Sequence, residues 1–361
     1  MTKTILLSAG GTGGHLFPAQ ALAQEMARRG WRVHLATDPR AKKFVTDFPA
    51  DEVHIIKSAT ITGKNPIALG RTAFRLLSGY FASRRVIKKI KPDVVVGFGG
   101  YPTVPPLLAA NMIGLPTILH EQNAVMGRAN KFLASKVSAI ATGFDLRAFD
   151  QSNSAPIVVT GNPLRAIAHE AAKHAYVTPT KSGPFSLLVF GGSQGARFFS
   201  QVIPSALALM EPTLRNRMQL TIQARPEDAG VARDALKKLN VSAQVEEFFL
   251  DMPHRISQSH LVICRSGASS VAELALIGRP SILVPLPGAL DDDQGANAEQ
   301  LEKAGGGVLI RQKDLSPERL AKVLSSAMAA PEILAKQAKD AKKAGVPDAA
   351  QRLAELVVNH V

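Results

Sequence analysis

The chain has 361 residues, which is enough for two domains with complete hydrophobic cores. An apolar content of 46% and an aromatic content of 5% are typical of a globular enzyme and exclude a disordered chain. The single cysteine, Cys264, excludes an intramolecular disulfide, suits a reducing compartment and is expected to be buried rather than nucleophilic. No apolar run is as long as a membrane span, and the N-terminal run is too short for a signal peptide, so we expect a cytoplasmic location.

The net charge of +14 is concentrated in the first half of the chain. Residues 1–160 contain 20 Lys and Arg against 9 Asp and Glu, whereas residues 161–361 contain 23 against 20. Segment 57–91 alone has nine basic residues and no acidic one. Such a block requires either an anionic partner or a well-solvated surface.

Short apolar runs alternate with helical patterns along almost the whole chain. Because these runs are continuously apolar rather than alternating, they predict parallel sheets covered by helices on both faces. The predicted strands are 4–8, 33–37, 94–97, 117–120, 140–142 and 157–160, followed by 186–190, 219–223, 243–248, 261–264, 281–284 and 307–310.

Three motifs occur twice in the same order, which predicts two similar α/β domains. The pairs are Gly-Gly-Thr-Gly-Gly at 10–14 with Gly-Gly-Ser-Gln-Gly at 191–195, Val-Val-Val-Gly-Phe-Gly-Gly at 94–100 with Leu-Val-Ile-Cys-Arg-Ser-Gly at 261–267, and Ile-Gly-Leu-Pro-Thr-Ile-Leu at 113–119 with Ile-Gly-Arg-Pro-Ser-Ile-Leu at 277–283. Ligands of such sheets bind at the carboxyl ends of the strands, so two facing domains would place both sets of loops on one cleft.

Glycine and proline at 161–163 and at 345–347 predict the domain limits. We expect an N-terminal domain over 1–161, a C-terminal domain over 162–346, and a separate last helix within 347–361.

The glycine-rich stretch 10–14 lies between a predicted strand and a helix predicted over 18–29, with Pro18 in its first turn. Glycines let a ligand approach the backbone, and a helix N-terminus favours an anion, so the first interpretation is a nucleotide phosphate site. Leu16 breaks both the dinucleotide fingerprint and the P-loop pattern, and a turn without a ligand is the alternative. His15, a titratable side chain at the mouth of this loop, is the distinctive residue.

Segment 265–273, Arg-Ser-Gly-Ala-Ser-Ser-Val-Ala-Glu, is the strongest binding motif. Small residues follow a predicted strand, and Ser269 and Ser270 open a helix whose N–H groups and dipole would hold a diphosphate. Glu273 is placed to accept hydrogen bonds from a ribose diol, and the alternative is a capping carboxylate.

Further polar residues are candidates for a ligand site. Residues 191–196 would face a phosphate through Ser193, and Arg165 would clamp a phosphate or form a surface ion pair. Residues 120–123, His-Glu-Gln-Asn, follow a strand, and we expect them in a cleft because burial would require a partner for each. The acidic run 291–294 fits a solvated loop or a sugar-hydroxyl site better than a metal site, because no His or Cys accompanies it.

Residues 71–90 predict a basic amphipathic helix. Its apolar residues at helical spacing are Phe74, Leu77 and Phe81, and its basic residues include Arg84, Arg85 and Lys88. An apolar face with basic flanks suits the surface of an anionic bilayer. The alternative is that the three apolar side chains belong to the core and the basic ones only solubilise the helix.

Six motifs together resemble the MurG family of glycosyltransferase family 28, over nearly the whole chain. They are Gly-Gly-Thr-Gly-Gly-His at 10–15, Gly-Phe-Gly-Gly-Tyr at 97–101, His-Glu-Gln-Asn at 120–123, Gly-Asn-Pro-Leu-Arg at 161–165, Gly-Gly-Ser-Gln-Gly-Ala at 191–196 and Arg-Ser-Gly-Ala at 265–268. The resemblance implies an α/β glycosyltransferase B fold, with two Rossmann-like, doubly wound parallel-sheet domains facing a central cleft and helix 347–361 crossing back to the N-terminal domain. It also implies an inverting transfer of GlcNAc from UDP-GlcNAc to the C4 hydroxyl of MurNAc-(pentapeptide)-diphosphoundecaprenol, which converts lipid I to lipid II in peptidoglycan biosynthesis.

The resemblance further implies the site residues. For UDP-GlcNAc they are Phe248 and Phe249 at the uracil, Glu273 at the ribose, Arg165, Ser193, Ala268, Ser269 and Ser270 at the diphosphate, and Thr12, Gly13, Gly14, Asn123, Asp293 and Gln294 around the sugar. Asp293 departs from the family pattern, since many members have glutamine there. On the acceptor side the loop residues are Gly99, Gly100, Tyr101 and Glu121. His15 would be the catalytic base, because the attacking hydroxyl needs a base of near-neutral pKa.

No cofactor or metal is expected, because a helix N-terminus and an arginine can stabilise the departing UDP. The implied partners are UDP-GlcNAc, lipid I, an anionic membrane surface and proteins of cell-wall synthesis, without nucleic acid. The implied location is peripheral, on the cytoplasmic face of the bacterial inner membrane.

Two other functions remain open on the residues alone. A UDP-GlcNAc 2-epimerase of the same fold would need a carboxylate-rich cleft and gives no reason for the basic helix. A nucleic-acid-binding protein is indicated by the pI near 10.0, but the basic excess is concentrated in the predicted N-terminal domain. A nicotinamide oxidoreductase is disfavoured by Leu16 in the broken fingerprint.

Overall fold

The computed structural model describes residues 2–10, 13–45, 48–56, 66–147, 149–152, 154–192 and 197–361, with the backbone alone at 42–44, 66–73 and 290. Two of the predicted ligand contacts, Thr12 and Ser193, lie outside the described residues. The chain divides into two compact units. The N-terminal unit comprises Met1–Arg165 and Asp348–Val361, and the C-terminal unit comprises Ala166–Pro347.

The N-terminal unit contains a seven-stranded sheet in the order β3-β2-β1-β4-β5-β6-β7, in which every neighbouring pair is parallel. The strands are β1 Thr4–Ser8, β2 Arg32–Thr37, β3 Glu52–Ile55, β4 Val94–Gly97, β5 Thr117–Glu121, β6 Ala139–Thr142 and β7 Ile157–Val159. The helices of this unit are α1 Gly13–Arg28, α2 Pro66–Ile90, α3 Val104–Asn111, α4 Arg128–Leu133 and, at the end of the chain, α14 Ala349–Val358.

The C-terminal unit contains a six-stranded parallel sheet in the order β10-β9-β8-β11-β12-β13. Its strands are β8 Phe185–Phe190, β9 Met218–Gln223, β10 Ser242–Glu246, β11 Leu261–Cys264, β12 Ser281–Leu283 and β13 Gly307–Leu309. Its helices are α5 Ala166–Ala171, α6 Arg197–Ala208, α7 Pro212–Arg215, α8 Pro226–Lys238, α9 Met252–Gln258, α10 Ala268–Ile277, α11 Asp293–Lys303, α12 Pro317–Ala329 and α13 Pro331–Ala344. Short 3-10 turns cover Pro39–Phe44, Tyr101–Thr103, Leu290–Asp292 and Gln312–Asp314.

The two sheets have the same strand order, since β1 to β6 correspond one by one to β8 to β13. The predicted duplication and the predicted parallel sheets are therefore confirmed. The repeated glycine of the third motif has the same role in both units: Gly114 follows α3 with a φ of 73°, and Gly278 follows α10 with a φ of 74°. Both glycines end a helix in the left-handed region, which a side chain would disfavour.

Two predicted elements differ from the structure. Strand β3 was not predicted, because it is a short edge strand in which Glu52 and His54 interrupt the apolar run. The prediction that Pro18 lies in the first turn of its helix is wrong, because α1 begins at Gly13 and contains Pro18 in its interior. Proline has no N–H to donate to the carbonyl of Gly14, so the first turn of α1 loses one helical hydrogen bond.

Each unit has its own hydrophobic core. In the C-terminal unit, α6, α8 and α12 pack their apolar residues on one face of the sheet. In the N-terminal unit, the main cluster joins α1 and strands β1, β2 and β4 to three residues of the last helix, Leu353, Ala354 and Val357.

Cys264 is buried in β11, as predicted, and burial raises the pKa of its thiol far above the usual value. Among the described helices, none has both the length and the apolar character that a membrane span requires.

Candidate functional site

The predicted site residues around His15 lie beyond the carboxyl ends of neighbouring strands of the N-terminal unit. Gly13, Gly14 and His15 open α1 after β1, while Gly99 and Gly100 follow β4. This arrangement follows from the parallel sheet, which brings the carboxyl ends of adjacent strands to one edge.

Gly99 and Gly100 lie against the ring of His15. A Cβ on Gly99 would be 3.4 Å from His15 Nε2, and one on Gly100 would be 3.6 Å from the same atom. Both glycines have positive φ, 84° and 76°, so the backbone conformation and the close approach both favour glycine. Tyr101 then begins a 3-10 turn and is half-buried. The repeated glycines therefore leave space next to Nε2.

The ionisation of His15 differs from the expectation. Burial lowers the pKa of His15 to about 4, although the charge of Asp38 raises it in part. The prediction of a near-neutral pKa is therefore wrong, because sequence spacing does not reveal how far a loop is enclosed. The imidazole is neutral at pH 7. Its Nδ1 is buried and has no hydrogen-bond partner among the described residues.

The polar residues at the carboxyl end of β5 are mostly buried, contrary to expectation. His120, Glu121 and Gln122 are almost inaccessible, and each has hydrogen-bond partners. His120 Nε2 donates to Gly161 O at 3.1 Å, and its Nδ1 accepts from Gln122 Nε2 at 3.2 Å, which assigns a neutral tautomer. The cleft prediction is therefore wrong for these three residues, because the fold supplies the partners that burial requires.

Glu121 supports the next loop. Its carboxylate accepts hydrogen bonds from Asn123 N and Gly127 N, both at 2.9 Å, and from Asn130 Nδ2 at 2.6 Å. Burial nevertheless raises the pKa of Glu121. Its interactions are those of a residue that shapes the loop around half-buried Asn123, and a contact to the acceptor stays a prediction.

The guanidinium of Arg165 packs on an aromatic ring, a contact that the sequence did not predict. Its guanidinium carbon lies 3.9 Å from the ring centroid of Phe17 on α1, a cation–π geometry. Gly13 leaves room for that ring, since a Cβ there would be 2.9 Å from Phe17 Cε2. Phe17 and Arg165 are far apart in sequence, and no local pattern links them.

In the C-terminal unit, the predicted diphosphate motif forms the N-terminus of a ten-residue helix. Gly267 is the N-cap and has no side chain with which to cap this end, and Ala268 is the first helical residue. The N–H groups of the first turn, including those of Ser269 and Ser270, therefore lack helical acceptors, which is the arrangement that favours an anion at a helix N-terminus.

Glu273 is the sixth residue of α10 and is half-buried. A capping-box carboxylate would be the third residue, Ser270. Glu273 is therefore not at the capping-box position of its own helix. Its ribose contact stays a prediction.

Hydrogen bonds join the start of α11 to the start of α10. Ser266 Oγ donates to Gln294 O at 2.8 Å, and Asn297 Nδ2 donates to Ser266 O at 3.2 Å. Gln294 Oε1 also accepts from Leu286 N at 3.0 Å. These bonds bring the predicted sugar-contact residues Asp293 and Gln294 next to the predicted diphosphate turn.

The acidic run before α11 has an unusual backbone. Asp291 and Asp292 have φ values of 66° and 51°, and Asp292 is paired with Arg311, whose Nη2 lies 2.8 Å from Oδ2. Burial raises the pKa of Asp293, to which the neighbouring aspartates also contribute. Among the described residues, this run does not form a group with metal-ligand spacing.

The two phenylalanines predicted at the uracil differ in exposure. Phe248 is 61% exposed and borders a groove next to β10 that Pro226, Arg233 and Glu246 also line. Phe249 is buried, with the guanidinium of Arg255 4.1 Å from its ring centroid. Phe249 therefore anchors the loop, while Phe248 stays accessible at the groove.

The six strands of the second sheet repeat the order of the first six strands of the first sheet, and glycine turns and a helix N-terminus lie at the strand ends. These features define a protein of the glycosyltransferase B class. Family models agree: the glycosyltransferase family 28 N-terminal domain matches residues 5–142, and the family 28 C-terminal domain matches residues 186–353. The chain belongs to the MurG family within glycosyltransferase family 28.

Individual relatives lead to the same family. The chain is 57% identical over 352 residues, 98% of its length and 93% of the relative's, to the UDP-N-acetylglucosamine–N-acetylmuramyl-(pentapeptide) pyrophosphoryl-undecaprenol N-acetylglucosamine transferase of Brucella abortus strain S19. The crystal structure of Acinetobacter baumannii MurG superposes with a TM-score of 0.80, at 30% identity and 99% coverage of both chains. A UDP-N-acetylglucosamine 2-epimerase structure, with a TM-score of 0.65, 15% identity and coverage of 100% and 96%, shares the fold alone.

Proposed function

We propose that this chain transfers GlcNAc from UDP-GlcNAc to the C4 hydroxyl of MurNAc-(pentapeptide)-diphosphoundecaprenol, converting lipid I to lipid II. The observation that carries this proposal is membership, across both units, of a family whose curated relatives are named for this transfer. The alternatives of a 2-epimerase and of a nucleic-acid-binding protein are wrong for a chain of this family.

The acceptor hydroxyl is activated at His15 in this proposal. The neutral ring places Nε2 next to Gly99 and Gly100, which have no side chains of their own. As the C4 oxygen attacks the anomeric carbon, its proton passes to Nε2, and the negative charge of Asp38 stabilises the imidazolium that forms. Bonding from the face opposite the UDP inverts the anomeric centre.

UDP departs with the electron pair of the broken bond between the anomeric carbon and the phosphate oxygen. The first turn of α10 and the guanidinium of Arg165, preorganised over Phe17, are proposed to stabilise the charge that develops on the diphosphate. Ser193 is proposed to contribute from the equivalent loop after β8.

The rest of the donor is assigned by the family resemblance and by position. Glu273 accepts from the ribose hydroxyls, and the backbone next to Phe248 and Phe249 meets the uracil. The sugar is proposed to be held by Gln294, Asp293, Thr12 and Asn123. The hydrogen bond from Ser266 to Gln294, which joins the starts of α10 and α11, supports the part of Gln294 and Asp293 in this assignment. The N-terminal unit, including α14, is accordingly the acceptor domain and the C-terminal unit the UDP-GlcNAc domain.

A membrane surface is proposed as the partner of α2. Phe74, Leu77 and Phe81 are 73%, 57% and 55% exposed, so the alternative that they belong to the core is wrong. The inward side of the helix is formed instead by residues such as Ile87 and Ile90. An exposed apolar stripe on a basic helix suits attachment to the cytoplasmic face of an anionic inner membrane, where the lipid acceptor lies.

The test of the reaction incubates the protein with radiolabelled UDP-GlcNAc and a lipid I analogue. We expect label in the lipid product and release of UDP in equal amounts. Epimerised sugar nucleotide with no labelled lipid would overturn the transferase proposal and restore the 2-epimerase.

Replacement of His15 by Ala tests the base. Because a positioned base contributes about 10²–10⁴-fold to such a step, we expect kcat to fall by that range while UDP affinity changes little. His15→Gln is the second variant, and His174→Ala, an exposed histidine of the C-terminal unit, is the control. Near-normal kcat in both His15 variants would remove His15 from this role.

A further inference from the structure

A group of metal-ligand side chains lies in the N-terminal unit, apart from the candidate active site. His34 is in β2, and Glu52 and His54 are in β3. In the parallel pairing of these strands, His34 aligns with Glu52 and Ala36 aligns with His54. Since alternate residues of a strand share a face, all three side chains lie on one face of the sheet.

The distances within this group match a metal site. His34 Nδ1 lies 3.2 Å from His54 Nε2, and one ligand atom from each of the three residues lies within 4.8 Å of the others. Two imidazole nitrogens bound to one tetrahedral Zn²⁺ at about 2.0–2.1 Å are about 3.3 Å apart. The two facing nitrogens are therefore spaced as ligands of one ion, while Glu52 Oε1 lies 3.7 Å from the other ring nitrogen of His54, Nδ1.

The charge states of the group also suit a metal. Burial lowers the pKa of both His34 and His54, so their rings are neutral at pH 7, and the ammonium of Lys89 lowers the pKa of Glu52, which is ionised. Neutral imidazoles and a carboxylate are the forms that bind cations. Glu52 is half-exposed, which leaves a path for an ion from solvent.

We propose that His34, Glu52 and His54 form a binding site for a divalent metal ion of the zinc class, which links the edge strand β3 to β2. Two imidazoles and one carboxylate favour Zn²⁺ over Mg²⁺ or Ca²⁺, which prefer oxygen ligands alone. The ion takes the place of the hydrogen bond between the rings, and the donating histidine moves its proton to its other ring nitrogen. Three protein ligands leave a fourth position for water.

Lys89 is the competitor of the ion in this site. Its Nζ lies 2.7 and 3.1 Å from the two carboxylate oxygens of Glu52, so a bound cation must share or displace this ammonium. Arg32 adds positive charge near His34, and Asp51 opposes it. Removal of Lys89 is therefore expected to strengthen metal binding, which a purely structural hydrogen-bond network would not do.

The test uses chelator-treated full-length protein titrated with Zn²⁺ by calorimetry, and with Co²⁺ for its ligand-field absorption. We expect the unmodified protein to bind one equivalent of metal. Glu52→Gln should weaken binding at least tenfold, and Lys89→Met should tighten it. The double variant His34→Gln and His54→Gln should lose both metal binding and the Co²⁺ absorption bands. The exposed pair His174 and His254 is the control, and its double Gln variant should bind as the unmodified chain does.

Three outcomes would overturn the proposal. The first is that the unmodified protein shows no saturable binding. The second is that the double variant at His174 and His254 loses binding while the double variant at His34 and His54 retains it. The third is that Lys89→Met binds the metal as weakly as the unmodified chain does, or more weakly. Circular dichroism confirms that each variant is folded, and Lys89→Met alters an exposed side chain only.

Discussion

His120 lies wholly buried behind the candidate acceptor site, and its ring stays neutral at pH 7. Burial lowers its pKa to about 4, against about 6.5 in an unfolded chain. Because unfolding lets this ring take up a proton, its contribution to stability is complete above about pH 6.5 and is lost as the pH falls toward 4. The slope is about 1.4 kcal/mol per pH unit for one histidine.

We therefore expect the free energy of unfolding to be smaller at pH 5 than at pH 7, with about 2 kcal/mol of the difference due to His120. Urea unfolding at the two pH values measures this for the unmodified chain and for His120→Asn. The variant has a lower stability at pH 7, since it loses the bond to Gly161, but a shallower pH dependence. Equal slopes in the two proteins would contradict a neutral buried His120.

The ring of Phe17 lies under the guanidinium of Arg165, so its effect on UDP-GlcNAc binding rests on the proposed role of Arg165. Phe17→Leu keeps an apolar side chain but removes the ring face under the guanidinium. Because a cation–π contact is worth about 0.5–2 kcal/mol, we expect KM for UDP-GlcNAc to rise about 2- to 30-fold. Steady-state kinetics with a soluble acceptor analogue measures the change.

The controls separate positioning from stability. Phe17→Tyr keeps the ring and should restore KM, while Phe74→Leu removes an exposed ring of α2 and should leave it unchanged. A rise in KM in Phe17→Tyr equal to that in Phe17→Leu would show that packing, rather than the ring face, is responsible.

At the scale of elements, α2 combines two kinds of residue along one solvent-facing stripe. At 100° per residue, Phe74, Leu77 and Phe81 lie within roughly 100° of Arg84, Arg85 and Lys88, and the stripe is about 21 Å long. The apolar half would enter the interface while the basic half meets lipid phosphates. Lys89 is outside this set, because it pairs with Glu52.

The triple variant Arg84→Gln, Arg85→Gln and Lys88→Gln tests this surface. Since each basic side chain contributes about 1 kcal/mol at an anionic surface, we expect binding to vesicles of phosphatidylethanolamine and phosphatidylglycerol to weaken about 100-fold. Co-sedimentation measures it. The matched control replaces three exposed lysines of the C-terminal unit, Lys237, Lys238 and Lys313, by Gln.

Equal losses in the two triple variants would assign vesicle binding to net charge rather than to α2. A second variant, Phe74→Ser with Phe81→Ser, should weaken binding even at high salt, because apolar insertion is not screened. Unchanged binding in that variant would remove the apolar stripe from the interface.

At the scale of the whole molecule, the repeated architecture was predictable and the site contacts were not. Strands such as β1 and β11 are buried on both faces, so their continuous apolar runs reveal them, and the duplicated motifs reveal the second sheet. The edge strand β3 carries polar residues and gives no such signal. The contacts of Phe17 with Arg165 and of Glu121 with Asn130 join separate elements, which periodicity cannot report. Residue chemistry predicted the diphosphate turn and Glu273 at the ribose, whereas the uracil and sugar contacts came from the resemblance alone.

The last helix gives the final prediction, because it belongs to the first unit although the second unit precedes it in the chain. Leu353 of α14 is fully buried in the cluster formed by α1, β1 and β2. Leu353→Ala leaves a cavity there and is expected to cost about 2–5 kcal/mol. The matched variant, Leu324→Ala on α12, makes the same change in the fully buried core of the C-terminal unit.

Hydrogen exchange followed by mass spectrometry distinguishes the two variants. We expect Leu353→Ala to lower the protection of α1 and β1 while β8 and α6 keep theirs, and Leu324→Ala to do the reverse, because each cavity weakens the core that it touches. If Leu353→Ala instead exposed β8 and α6, the last helix would stabilise the C-terminal unit, and its assignment to the acceptor domain would fail.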